Sequence, residues 1–428
     1  MLMLFNTSCV TDGGSPNGKI APGDLQHDFA TMTELVETSS PYPFYMTSRA
    51  SYDDLKASIK DRLKDSMSSL EFFQIVYPLV KSLKNPHYNL AAAMAPADAS
   101  IPVYFPFSVF ITGDSIVIDE HLAAPADQSL RGKYVSAING RKPGDILSQL
   151  RQGVEYSAAE IPYINYTMES SFGKLLHSLS GISGKFNIEV DGRSYAFDGV
   201  PLGLLKGKET QGSIHDSIIQ AEQEQIGYLK IRDLNPGNAE EWDEKLPVFF
   251  RKLRQLKVRK LIIDMRDNYG GSTALTRKLI AYISSKEYSF GDEVSYSKDA
   301  EIIHDSAPPV APKSVSDKFD GACILLVNAG TFSSAHMFFA AFKHYGMGIT
   351  VGEPGIERYL ISGELKEKEL ERTKCMFYYP TSNFMLPGFS ETVNAPVIPD
   401  VVISGSMQDR IARKDNVLDS IVSPGHVK

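Results

Sequence analysis

The second half of the sequence predicts an α/β fold, on three observations. From about Ile226 onward, apolar runs of strand length alternate with amphipathic stretches of helical length. Cys323 to Val327 is continuously apolar, as buried strands are, and Lys260 to Met265, with Leu261-Ile-Ile at its centre, also reads as a buried strand. Each leads through a short turn bearing glycine or serine into a helical pattern, the layout of a sheet with helical crossovers.

Length and composition set the outer bounds. A chain of 428 residues exceeds one ordinary core and implies two to four domains. Its 43% apolar and 22% charged residues are those of a soluble globular protein. A formal net charge of −8 argues against a nucleic-acid surface, since phosphate binding wants a basic face. No run reaches the roughly eighteen apolar residues of a membrane span. Cysteines at 9, 323 and 375 form neither an even disulfide framework nor a metal-ligand spacing, and Cys323 reads as a core residue.

Cys9 follows Met1-Leu-Met-Leu-Phe5 and precedes a polar Gly/Pro/Asp/Ser-rich segment up to about Asp24. The pattern resembles the end of a bacterial lipoprotein signal, with Cys9 lipidated and the rest a tether. That would place the protein at a bacterial cell envelope, periplasmic or membrane-anchored. Five apolar residues fall short of the roughly 7–15 of a signal core, and a start upstream of Met1 would supply the difference. A disordered N-terminus over 1–24 is the competing reading.

From 25 to 95 the periodicity is helical. Ser51 is a candidate N-cap for Tyr52 to Leu63, and Ser68 or Ser69 for a second helix carrying Phe72, Phe73, Val76, Leu79 and Val80. Pro78 is expected to kink or split that helix, and Pro86 to end it, leaving His87 displayed just past a helix end. A histidine so placed is a solvated loop residue or a catalyst. Residues 100–205 predict a small β-rich module with a helix from Pro143 to Arg151 and a hairpin turning at Asp191-Gly192. The run Gly132 to Gly140 with that helix resembles a PDZ-like module, a peptide binder by strand addition, and a β-rich spacer is the plainer alternative. After a boundary within the Gly-, Lys- and polar-rich stretch Leu202 to Ile214, residues 213–405 are expected to form the α/β domain, with helices at Asn238 to Leu256 and Thr273 to Ser284 and short strands at Ile349 to Val351 and Cys375 to Tyr379. The charged stretch Gly363 to Lys374 is expected to be a solvated loop or a turn of helix, and 406–428 a tail.

Two stretches carry chemistry. In Ala322 to Tyr345, a buried strand passes through Asn328-Ala-Gly-Thr-Phe-Ser333-Ser334 into a helix. A serine at such a turn is exposed beside free amides and the positive end of a helix dipole, where an acyl-transfer nucleophile belongs; a plain N-cap is the alternative. In Leu261 to Ser272, a buried strand ends in Asp264-Met-Arg266-Asp267-Asn268-Tyr269-Gly270-Gly271. Glycines there let amides face a ligand unobstructed, and an oxyanion donor is worth about 3 kcal/mol.

Together these segments resemble the C-terminal processing and tricorn-type serine peptidases, the S41 family. Leu261 to Gly271 is similar to that family's LIIDLRxNxGG, Leu325 to Ala335 to its vLvNxxtaSAsE, and Val397-Ile-Pro399-Asp400-Val to its closing GvxPDv. The resemblance implies a ClpP/crotonase-like catalytic domain after a helical module and the PDZ-like module. It implies a serine endopeptidase acting on polypeptides through an acyl-enzyme, with no metal or cofactor. Ser333 is then the nucleophile, and Ser334 with Gly270 or Gly271 supplies the oxyanion amides. In the processing branch a lysine follows the serine, whereas the loop here offers Arg358, which stays protonated and cannot act as base. The tricorn-like branch uses a Ser–His–Glu relay, onto which His87, in Asn85-Pro86-His87, and Glu391 are carried. In that relay a neutral imidazole takes the serine proton and a carboxylate orients it. Glu353 is the second choice of acid, and His336 a rival base expected on the helix flank. The alternative from another class is a peptide-binding scaffold that keeps the fold without the chemistry, favoured by Asn85 where the family has Asp.

Overall fold

The structure is a computed structural model that describes residues 18–92, 103–154, 161–205, 212–222, 224–298, 301–389 and 395–423. Cys9 and Glu391 lie outside the described residues. The chain forms two compact units: the described residues up to 205 with 364–381, and those from 212 onward apart from that excursion.

The first unit opens with α1 (Pro22–Ser39), α2 (Arg49–Arg62) and α3 (Ser69–Ser82). Helix α2 starts earlier than expected because Ser48, not Ser51, is the cap, accepting from the Ser51 amide. Ser68 and Glu71 make a reciprocal capping box at the head of α3. Pro78 does not split α3: Phe72, Val76, Leu79 and Val80 are buried in one core, and their packing outweighs the lost backbone hydrogen bond. The chain continues through β1 (Asn89–Ala91), the hairpin of β2 (Phe107–Thr112) and β3 (Ser115–His121), and β4 (Val135–Ile138). Helices α4 (Pro143–Gln152) and α5 (Ile161–Ser180), strands β5 (Lys185–Val190) and β6 (Arg193–Asp198), and the short α6 (Leu202–Leu205) complete it. The β5–β6 turn falls at Asp191-Gly192, both with positive φ, as a tight hairpin requires.

In the second unit β7 (Ile214–Gln220) and β8 (Gln225–Ile231) precede α7 (Ala239–Gln255), β9 (Lys260–Asp264) and α8 (Thr273–Ile283). The hairpin of β10 (Glu293–Lys298) and β11 (Glu301–Ser306) leads to β12 (Ala322–Val327), α9 (Ser334–His344), β13 (Ile349–Gly352) and β14 (Leu360–Gly363). An excursion, β15 (Lys366–Glu369) and β16 (Met376–Tyr379), belongs to the first unit, where β1 pairs with β16. The stretch expected as a solvated loop is therefore partly strand. Buried Leu370, Cys375 and Phe377 anchor it, and Asp28 accepts the amides of Arg372 and Thr373. The chain returns as β17 (Ser382–Met385) and ends in β18 (Val401–Val402), α10 (Met407–Ile411) and α11 (Asn416–Val422). Residues 407–422, expected as a tail, are thus largely helical, with Val417 and Ile421 buried.

A six-stranded sheet, ordered β18-β13-β12-β9-β8-β7, carries the second unit; all neighbours run parallel except β7 against β8. Alternation sorts its side chains. Leu261, Ile263, Leu325 and Val327 pack with Trp242, Phe249 and Phe338 of the helices, while Ile262, Ile324 and Leu326 pack with Val417 and Ile421. At the end of β9, fully buried Asp264 accepts from Tyr228, Lys230 and Arg266. Burial opposes its ionisation, yet these donors hold its carboxyl down at about 2. Arg266 also forks onto Asp415, the N-cap of α11, at 2.8 and 2.7 Å. No helix of the described residues is long and apolar enough to cross a membrane.

Arg266→Met removes the shared partner of two carboxylates, one of them fully buried, and should destabilise the protein by about 3 kcal/mol. Asp415→Asn, at a half-exposed site, should lose under about 1 kcal/mol. Urea midpoints that fall equally for the two variants would contradict this ranking.

Candidate active site

The two chemistry-bearing turns lie at the carboxyl ends of neighbouring parallel strands, β9 and β12, where open α/β sheets bind ligands. They are stitched together. Asn328 accepts from the Asp267 amide and donates to its carboxylate, at 2.9 and 2.7 Å. Thr331 donates its hydroxyl to Met265 O at 2.9 Å. The Phe332 amide donates to Asn268 O at 2.9 Å. Asn268, itself fully buried, spends its side chain on Ile231 O and on the Gly270 amide.

Ser333 caps α9 by position but not by side-chain hydrogen bond, and its backbone sits at φ 54°, ψ −126°. A left-handed φ in a residue bearing Cβ is strained by about 1–2 kcal/mol. Gly270 makes this turn possible: a Cβ there would lie 2.7 Å from Phe332 O and 2.8 Å from both Ser333 Cβ and Ser334 N. The Ser334 hydroxyl donates to Gly271 O at 2.6 Å. The Gly270 amide is committed to Asn268, whereas the amides of Ser334 and Gly271 have no acceptor among the described residues.

The loop after β13 carries two carboxyls. Glu353, the second choice of acid, accepts the Ala329 amide at 3.1 Å. Glu357, which no sequence signal distinguished, is buried and accepts the Ser333 amide at 2.5 Å. Burial pushes its carboxyl up to about 8, against the opposing pull of that amide. His336 is fully buried, because α9 is covered all round from Ser334 to Phe342. Neither of its ring nitrogens finds a hydrogen-bond partner among the described residues. Burial pushes its pKa down to about 3, offset in part by the nearby backbone of Glu357 and Thr331. A Cβ on Gly355 would stand 2.0 Å from the His336 ring, so the loop rests directly on it.

His87 belongs to the first unit. It is buried, its amide donates to Asn85 Oδ1 at 3.0 Å, and burial lowers its pKa to about 3. Asn85 thus closes the turn that carries His87. A second Ser–His–Glu group on β10 and β11 is no relay, because Ser295 and Glu293 both meet the same His304 Nδ1. No group of three or more His, Cys, Asp or Glu is placed to hold a metal among the described residues.

A serine lifted off a helix head, beside open amides at a sheet's carboxyl edge, is the layout of a serine hydrolase. Residues 225–403 match the model of Peptidase family S41. Those residues resemble peptidase family S41, a family of serine-type peptidases. Its fold is similar to that of mature CPAF, with TM-score 0.71 at 12% identity over 93% of this chain and 97% of that one. A putative peptidase from Parabacteroides merdae aligns at TM-score 0.54 and 14% identity, over 94% of this chain and 96% of its own. The photosystem II D1 C-terminal processing protease gives 0.50 at 13% identity, covering 94% and 98%. No curated protein matches the sequence.

Glu357 and His336 set opposite pH limits. With a folded pKa raised to about 8, Glu357 adds stability present below its unfolded value of about 4.3 and lost as pH rises through 8. His336, depressed to about 3, contributes stability present above about 6.5 and lost as pH falls. Glu357→Gln should therefore flatten the fall in thermal midpoint between about pH 5 and 8.5. Parallel curves for variant and wild type would refute the buried neutral carboxyl.

Proposed function

We propose that the protein is an endopeptidase that cuts polypeptides through an acyl-enzyme on Ser333, with His87 as general base and Glu391 orienting it. The observation that carries the proposal is the backbone of Ser333, held at positive φ beside the open amides of Ser334 and Gly271. In this reading the Ser333 hydroxyl attacks the scissile carbonyl and its proton passes to the imidazole. The oxyanion sits on the amides of Ser334 and Gly271, and Gly270 supplies the space. Collapse breaks the C–N bond, with the imidazolium returning the proton to the departing amine, and water repeats the cycle to release the acid. Burial keeps His87 neutral at physiological pH, the form a base needs. Arg358, where the processing branch has lysine, leaves the base to a histidine.

A fluorophosphonate probe should label wild type and fail on Ser333→Ala, and His87→Ala should slow labelling by about 10²-fold or more. Burial alone lowers His87 to about 3, and a carboxylate at the ring opposes that shift, so with Glu391 in the relay the acid limb of labelling in wild type should lie well above pH 3. A limb near 3 would mean that no carboxylate reaches the ring. Equal labelling of wild type and Ser333→Ala would sink the proposal, and no labelling of either would favour the peptide-binding scaffold.

The residue pattern around Cys9 supports a lipid anchor and a cell-envelope location as part of the same reading. Cys9→Ala, expressed in a bacterium with its native leader, should move the protein from the membrane to the soluble fraction; unchanged partition would remove the anchor.

A further inference from the structure

The relay leaves one buried group at the nucleophile without a role. Glu357 is 7% exposed, and its carboxyl faces the backbone of Ser333 rather than solvent. Burying a carboxyl costs several kcal/mol unless it finds a partner, so an apolar residue would serve packing better. A partner it does find is the amide of the strained residue.

We propose that Glu357 is a positioning residue for the nucleophile: by accepting the Ser333 amide it holds the left-handed backbone that lifts the Ser333 side chain clear of the helix head. The inference rests on Ser333 being the nucleophile. Four restraints converge on the turn, and they act in sequence. Thr331 is tied through its hydroxyl to Met265, and Phe332 through its amide to Asn268. Ser334 is tied through its hydroxyl to Gly271, and Ser333 through its amide to Glu357. The first two fix the entry, the third fixes the first helical residue, and Glu357 acts on the residue between them.

The carboxyl is aimed by its own loop. The Gly355 amide donates to Val397 O at 2.8 Å, and Gly355 itself sits flush on the buried His336 ring, which leaves no space for a side chain. His336 is thereby a floor under the loop, a task that needs its ring and none of its hydrogen bonds. The chain from His336 through Gly355 to Glu357 returns to Ser333 only three residues before it started, so the helix head and the loop brace each other.

The test separates hydrogen-bond acceptance from both bulk and charge. Glu357→Leu keeps the volume and removes the acceptor, while Glu357→Gln keeps the acceptor and removes the acid. Labelling by a fluorophosphonate is followed over probe concentration, to separate the maximal rate from the half-saturating concentration. Glu357→Leu should lower the maximal rate by about 10²-fold at nearly constant half-saturation, as misplaced nucleophiles do, and Glu357→Gln should restore it to within about threefold. Full-rate labelling of a folded Glu357→Leu would overturn the assignment. So would equal loss in both variants, which would assign the effect to the acid's proton instead. If Glu357→Leu does not fold, Gly355→Ala displaces the same loop without touching the carboxyl, and undiminished labelling there overturns it too. Wild type that takes no label fails the nucleophile itself, and with it this role; labelled wild type with indifferent variants fails the role alone.

Discussion

Everything at the candidate site depends on one close approach, the face of Gly270 laid against the backbone of Phe332 to Ser334. The distances leave no room for a Cβ, and Gly270 itself has φ 90°. Neither a larger residue nor an ordinary backbone would allow the two turns to meet. The approach in turn requires the ends of β9 and β12 to be level, which their parallel register secures from Cys323 opposite Leu261 to Leu326 opposite Asp264. Sheet pairing, the glycine and the serine's strained φ are thus one constraint expressed at three scales, from strand to side chain.

Around that contact the protein accepts polar groups in its interior, and each is tied to a turn. Asn268 bridges Ile231, Gly270 and, through its carbonyl, Phe332. Asp264 collects Tyr228, Lys230 and Arg266 beneath it. At the far edge of the sheet the exposed Asp400 accepts the Thr350 amide and hydroxyl at 2.9 and 2.7 Å. A buried polar network is stabilising only when every member is satisfied, which makes such a set a fixed frame rather than a flexible one. The frame fits a site whose chemistry relies on amides aimed beforehand, since donors that need not reorganise do the most for a developing oxyanion.

The parallel strands and both turns are legible in the sequence because each is written locally. The apolar triplet Leu261 to Ile263 marks β9 and the run Cys323 to Val327 marks β12, and paired glycines and a serine doublet mark the turns at their ends. The four-stranded antiparallel sheet of β11, β10, β17 and β14 leaves no such mark, since Glu293 to Ser306 is largely polar and its burial is slight. Residues 364–374 are illegible for a different reason: their anchor, Asp28, stands some 345 positions away. Glu357 is hidden in the same way. A glutamate in a Gly/Pro loop is ordinarily solvated, and nothing in the local pattern shows that the loop folds back onto the helix head. The helices of 407–422 are only 5 and 7 residues long, and α11 is held by packing with Ile262 and Leu326 rather than by its own propensity.

The histidines show how burial alone fails to divide residues of one type between roles. His336 and His87 are both buried and both depressed to about 3, so the pKa does not distinguish a base from a packing residue. Their surroundings do. His336 is enclosed by its own helix and by Gly355, and no carboxylate among the described residues hydrogen-bonds its ring to balance a proton taken up there. His87 is equally buried but lies in the turn after α3, with Asn85 holding its amide and Tyr88 starting the approach to β1. A base must be neutral at rest and tolerate a transient charge, which requires an anion that can be brought to it. The carboxyl lodged against Ser333 is that of Glu357, and its hydrogen bond there is made to backbone. In the proposed reading, holding the serine's backbone and activating its hydroxyl are therefore separate tasks, given to different residues.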